Sequence, residues 1–188
     1  MPLTPLAVSA LALLIERPMH PYEMFQLLLE RHVDRFVKVR AGSLYHTVER
    51  LRVDELVEVT GTDRGGNRPE RTTYAITAAG RTAMTARIRE LISQPVREYP
   101  HLPLALSEAH NVPATEAVTD LRQHVAALDD DIAALGSVLT GYRESGLEET
   151  YLLGADYLLT MTVAQRDWLS DLIARIDHED FTWHPHHG

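Results

Sequence analysis

The sequence contains no cysteine. That removes disulfides, thiolate nucleophiles and sulfur-ligated metals together, and it suits a cytoplasmic protein. It also lacks any apolar run of the ~18 residues that a bilayer crossing needs, so no membrane association is expected. The opening MPLTPLAVSALALLIERP is apolar, but no basic residue precedes the stretch, and it reads as a first helix rather than a signal peptide. GxSxG, HExxH, Walker A and GxGxxG are all missing, and no Ser/His arrangement marks a triad, so neither an enzyme nor a cofactor is expected. Basic charge is scarce in one half only. Residues 1–100 hold fourteen Lys+Arg and twelve Asp+Glu, a net of about +2, whereas residues 101–188 hold four and fifteen, about −11. Two halves of opposite character suggest two jobs, and only the first half is a plausible polyanion binder.

What is present is a globular composition, 45% hydrophobic and 24% charged, in 188 residues, enough for two small domains with real cores. Thr4-Pro5 is an N-cap followed by proline at the first helical position, and Pro18 ends that helix near Glu16. His20-Pro21 starts a second helix, with Tyr22, Phe25, Leu28 and Leu29 as its apolar side. After an extended link, Phe36–Arg40, Ser43 reads as the N-cap of a third helix over 43–54. Leu44, Val48 and Leu51 fall on one face of it. Ser43, Tyr45, His46, Thr47 and Arg50 are left on the other, with Lys38 and Arg40 just upstream. A helix whose N-terminal half is positive, polar and able to stack is what a DNA major groove accepts.

The period then changes. Leu56–Thr60 and Arg71–Thr77 read as strands around the Gly-rich turn Thr62–Pro69, which makes a β-hairpin after three helices, a winged helix. Arg64, Arg68 and Arg71 at the hairpin tip are placed for backbone or minor-groove contact. Thr77 caps a fourth helix to about Gln94, with Met84, Ile88, Leu91 and Ile92 apolar. Pro95, Pro100, Pro103 and Pro113 then break the chain, with a short helix at Leu104–His110 between them. Beyond them Val118, Leu121, Val125, Leu128, Ile132, Leu135 and Leu139 form an unbroken heptad seam, and Tyr151–Ile176 a second long helix. Two such helices ask for a partner pair from a second chain, so these seven residues are the expected dimerisation surface. The expected fold class is therefore mainly α with a small β-hairpin. Its parts are a winged-helix DNA-binding domain at 1–95, a linker at 96–114, and a helical, coiled-coil-like antiparallel dimerisation domain at 115–188 ending in a mobile His-rich tail.

Two further clusters are expectations. Trp168, with Tyr151, Tyr157 and Met161, is a candidate aromatic lining for an effector pocket, and His20 and Tyr22 would report its ligand to the reading head. The C-terminal Asp177-His178-Glu179-Asp180 and His184-Pro185-His186-His187 have ligand chemistry for zinc or nickel, but no i, i+4 spacing. The acidic triplet Asp129–Asp131 lacks the alternation of a calcium loop. No metal site is expected from either.

The motifs also resemble a known family. Met19-His20-Pro21-Tyr22-Glu23, then Gly42-Ser43-Leu44-Tyr45 with Val48-Glu49-Arg50-Leu51, then Asn67-Arg68-Pro69 with Tyr74-Ala75-Ile76-Thr77-Ala78-Ala79-Gly80 are similar in order and spacing to PadR-type transcriptional regulators, except that Pro21 stands where the family usually has glycine. The resemblance implies a homodimeric winged-helix repressor on a pseudo-palindromic operator in double-stranded DNA, released by a small aromatic or other toxic compound. It implies DNA contact by Tyr45 and its neighbours and by the Arg68 wing. Base reading would fall to Ser43, His46, Thr47 and Arg50. The alternative is a coiled-coil adaptor whose winged helix binds protein.

Overall fold

Thr4 accepts a hydrogen bond from the Ala7 amide at 3.2 Å and Pro5 occupies the first turn, so α1 (Pro5–Glu16) begins where the sequence signals it. Arg17, held extended before Pro18, ends it. The next residue but one, Met19, exchanges two 3.0 Å backbone hydrogen bonds with Tyr74 and is buried. His20 then caps α2 (Pro21–Glu30). Met24 and Leu28 face the core, and Tyr22 and Leu29 do not: α2 is rotated from the expected setting because Pro21, also buried, shares the inward face with Met24. A left-handed His32, a short 3-10 turn (Val33–Arg35) and an extended link lead to α3 (Ala41–Val53). The computed structural model describes residues 2–63, 71–178, 180 and 183.

The end of α3 is fixed by a Schellman pair: the Leu56 amide reaches the Leu51 carbonyl at 2.9 Å and the Glu55 amide that of Arg52 at 3.1 Å. This puts Glu55 at φ 58°, the left-handed region that favours glycine. β1 (Val57–Asp63) and β2 (Arg71–Ile76) pair antiparallel, Val57 with Ile76 and Val59 with Tyr74. A bulge between Val59 and Gly61 lets β1 run on to Asp63, past the point where turn-forming residues suggested it would stop. Tyr74 pairs with both Val59 and Met19, so the hairpin is stitched on its other side to the α1–α2 junction. Thr77 then caps α4 (Ala78–Ser93): its oxygen accepts from the Gly80 amide at 3.0 Å while its hydroxyl faces the carbonyls of Glu55 and Leu56. Leu6, Leu11, Leu14, Met19, Met24, Leu28, Leu44, Val48, Leu51, Val57, Ile76 and Met84 close into one core. Leu91 and Ile92, expected to be part of α4's apolar side, lie outside it; Ile92 is 81% exposed.

Contacts divide the chain into two compact units, Met1–Glu98 and Tyr99–Gly188. The second opens with α5 (His101–Ser107), followed by a 3-10 turn (Ala109–Asn111). α5 starts three residues before the expected Leu104. Pro103 sits in its first turn, where a missing N–H costs no helical hydrogen bond. α6 (Ala114–Glu144) and α7 (Leu153–Asp177) follow. Between them Gly146, at φ 78°, ends α6 in a second Schellman pair, with Leu147 N to Tyr142 O at 3.1 Å. Arg143 pairs with Asp156, Asp129 with Arg166, and Arg122 with Asp177, so α7 runs back antiparallel along the whole of α6. Val118, Leu121, Leu135 and Leu139 of the heptad seam are buried, while Val125, Leu128 and Ile132 are half-buried. The fully enclosed Leu169 of α7 packs with Val118 and Leu121. No described helix is long and apolar enough to cross a membrane.

Two substitutions next to one another in space have opposite expected signs. A Cβ at Gly80 would lie 2.1 Å from the Leu56 carbonyl oxygen and 2.9 Å from Ile76 Cγ1, so Gly80→Ala lowers stability by about 1–3 kcal/mol. Glu55→Gly relieves a left-handed non-glycine residue and raises it by about 1 kcal/mol. Thermal unfolding of the two variants against the parent chain reads both.

Candidate nucleic-acid interface

Leu44, Val48 and Leu51 are fully buried, which turns the opposite side of α3 outward. At 100° per residue that outermost strip is Gly42, His46, Glu49, Arg50 and Val53, all exposed. Tyr45 lies on one flank, 44% exposed, with its ring edge-on to the His20 imidazole, centroids 6.0 Å apart at 74°. Thr47 lies on the other flank, beside Leu3, Thr4 and Ala7 at the start of α1. Its hydroxyl donates at 2.8 Å to the Ser43 carbonyl. Ser43 is exposed but is not the N-cap. The extended link tucks Val37 and Val39 against the core and leaves Lys38 and Arg40 exposed, so the helix starts earlier, at Ala41, with Arg40 as its cap residue.

Arg40 donates or accepts no side-chain capping bond, whereas Thr4, His20 and Thr77 cap their helices with side-chain atoms. The first amides of α3 therefore stay open to an external acceptor at the positive end of the helix dipole, beside Lys38 and Arg40. Further along, Arg52 is bound to Glu49 at 2.7 and 3.0 Å, and those hydrogen bonds hold the Glu49 carboxyl below its ordinary value of 4.5. Arg50 has no such partner among the described residues, nor do Lys38 and Arg40. Among the described residues of α3 and the link before it, the cationic groups available to a phosphate or a base edge are thus Lys38, Arg40 and Arg50. Arg64 and Arg68 lie outside the described residues, as does the turn that carries them.

His20 has a structural employment. Its Nδ1 accepts the Tyr22 amide at 3.0 Å, which leaves Nε2 as the ring's N–H, and the same ring braces Tyr45. Periodicity could not reveal this contact, which joins the first residue before α2 to the outer flank of α3. Tyr22 is 55% exposed. Trp168, Tyr151, Tyr157 and Met161 are all exposed on the second unit. Gly42, which the sequence offers as part of the motif before Leu44 and Tyr45, lies inside the first turn of α3. A Cβ there would meet nothing within 4 Å and its φ is not positive, so neither packing nor backbone conformation of the chain calls for glycine. Among the described residues no cluster of three or more His, Asp or Glu is arranged to hold a metal ion; Glu179 and His184–His187 lie outside them.

Several solved structures share the fold. That of Bacillus subtilis PadR in complex with operator DNA matches with a TM-score of 0.78 at 16% identity, over 91% of this chain and 98% of that one. The same protein in complex with p-coumaric acid matches at 0.71 and 15%, over 92% and 98%. The Vibrio cholerae virulence activator AphA matches at 0.70 and 18%, over 93% and 99%. No curated protein sequence matches significantly.

His20→Ala removes the α2 cap and the brace on Tyr45 together. The expected result is a loss of about 1 kcal/mol in unfolding free energy, with a change in Tyr45 ring signals by NMR; unaltered Tyr45 signals would show that the brace is absent in solution. Residues 10–86, the greater part of the first unit, match the family model described as the transcriptional regulator PadR-like family.

Proposed function

We propose that the chain is a homodimeric, sequence-specific DNA-binding repressor acting in the cytoplasm and released by a small, possibly aromatic effector. The observation that carries it is the free outer strip of α3 beginning in an uncapped, cationic helix N-terminus. Lys38, Arg40 and the open amides would grip phosphate. His46 and Arg50 would meet base edges from the centre of the strip, with Ser43, Tyr45 and Thr47 on its flanks and the Arg64 and Arg68 wing in the adjoining groove. Gly42 would let the duplex backbone close on the first turn. The relative solved on operator DNA supports this reading of the shared fold.

Dimerisation is supported by α7. With Leu169, Leu172 and Ile173 turned to α6, Leu153, Tyr157, Met161 and Trp168 form a second stripe, 48–67% exposed, at spacings of four, four and seven that keep them on one helix face. Val118, Leu121, Val125, Leu128, Ile132, Leu135 and Leu139 hold α7 in place, and the three half-buried ones have room for further cover. The relative in complex with p-coumaric acid supports an aromatic effector. His20, touching both α2's first turn and Tyr45, is the group through which a ligand-induced movement near Tyr22 would reach α3.

The test is a gel shift with DNA from upstream of the gene, with a promoter-reporter assay for the sign of the response. Arg50→Ala weakens specific binding by about 5–150-fold, equivalent to ~1–3 kcal/mol. Lys38→Ala and Arg40→Ala each flatten the log-affinity against log-salt slope by about one. Gly42→Ala leaves the fold as stable or more so, since alanine is the better helix former, yet weakens DNA binding. Sedimentation gives a dimer for all four. Binding that none of these variants weakens, or a protein that binds no duplex, would overturn the reading.

A further inference from the structure

The second unit contains a cavity of about 230 Å³ that the proposed DNA interface does not use. Its floor is Ala117 and Leu121 of α6, both buried. Leu102 and Leu106 of α5 and Val112 add apolar wall. Trp183 closes one side, its indole N–H donating at 2.9 Å to the Val112 carbonyl, which fixes the ring by its polar edge. The volume falls below the ~300–1,000 Å³ of drug-sized sites and suits a single ring with a short substituent.

The polar side chains on the wall are two among the described residues, a carboxylate and an imidazole. Asp120 and His124 occupy the same face of α6 as Ala117 and Leu121, at i+3 and i+7 from Ala117. Among the described residues no lysine or arginine lines the space. The neighbouring arginines are engaged elsewhere: Arg122 with Asp177 and Arg166 with Asp129 and Asp167. Asp120 makes no ion pair among the described residues, and His124 meets Gln165 at 3.3 Å. The half of the chain around this cavity carries a net charge of about −11, which raises the local concentration of cations and repels anions. An aromatic acid placed here would face the Asp120 carboxylate, with the His124 imidazole as its one described basic neighbour. An amine would find the Asp120 carboxylate at the rim, the Trp183 ring beside it and a dry floor.

We propose that this cavity binds a small hydrophobic cation, a monocyclic aromatic amine in its ammonium form, with Asp120 taking the charge and Trp183 covering the ring. The inference rests on the regulator reading only for its consequence, that such an amine is the effector; the binding itself is read without DNA.

The test uses the full chain with Trp168→Phe, which leaves Trp183 as its single tryptophan. Three probes of matched size are titrated while its emission is followed: 2-phenylethylamine, 2-phenylethanol and phenylacetate. The expected result is a saturable change with the amine, at least tenfold weaker binding of the alcohol, and the weakest of the carboxylate. Asp120→Asn, on an exposed position, removes the preference of amine over alcohol while leaving the helical circular dichroism unchanged. Ala105→Leu, which intrudes from the exposed rim, weakens binding of the amine and the alcohol alike. Equal affinity for amine and carboxylate, an Asp120→Asn variant with unaltered preference, or no saturable change with any probe would each overturn the proposal. If the amine binds in this way and the parent chain, with Trp168 intact, binds no duplex, the regulator reading is refuted and the cavity assignment stands.

Discussion

One helix has to satisfy two solvents at once, and the first unit is built around that demand. Leu44, Val48 and Leu51 commit one side of α3 to a core supplied by α1, α2 and the hairpin base, and each buried leucine is worth roughly 1.5–3 kcal/mol. With that side spent, the angular position of every other residue on α3 is settled. His46 and Arg50 are exposed beside the groove that Thr47 shares with the start of α1, and Tyr45 leans on His20. The chemistry of the outer strip is free to vary because the fold draws nothing from it.

The rest of the unit holds that helix at both ends. At its start, the alternation of Val37 and Val39 inward with Lys38 and Arg40 outward delivers the chain in extended form, and no side chain occupies the first amides. At its end, Thr77 ties the α3–β1 turn to α4 through its oxygen and its hydroxyl, while Gly80 makes room for the Leu56 carbonyl. The second unit solves a different problem. Its hairpin of long helices is aligned by Arg143–Asp156, Asp129–Arg166 and Arg122–Asp177. Each is a surface pair of small energetic worth, yet together they pin one register along more than thirty residues of α6 and its return.

Most of this was legible in the chain. Thr4-Pro5, His20-Pro21 and Thr77 announced three helix starts through cap chemistry that operates within four residues, and a heptad count marked the inner face of α6. What escaped were features decided at longer range. Ser43 has the chemistry of a cap, but the burial of Val37 and Val39 moved the start of α3 to Ala41. Met24 displaced Tyr22 from the core side of α2 because Pro21 had already claimed that direction. Pro103 was read as a breaker although the first turn of a helix tolerates it. On α7, a count of apolar residues merged two stripes into one, and only packing against α6 separates Leu169 and Ile173 from Tyr157 and Trp168. Gly42, matched only as part of a motif, carries a further signal in the structure: a flexible residue inside a helix with no internal reason to be there.

The bulge beside Val59 has an outcome for how this hairpin tolerates change. In an uninterrupted strand, each residue added or removed reverses which side every later residue faces. Here one extra residue is already absorbed between Val59 and Gly61, so Gly61, Thr62 and Asp63 keep their partners Thr73, Thr72 and Arg71. The aim of everything distal to that point is set by arithmetic parity in the chain rather than by the identity of any side chain. Variation in length at this strand is therefore a sterner filter than variation in composition, and indels that come in even numbers pass it more readily than single ones.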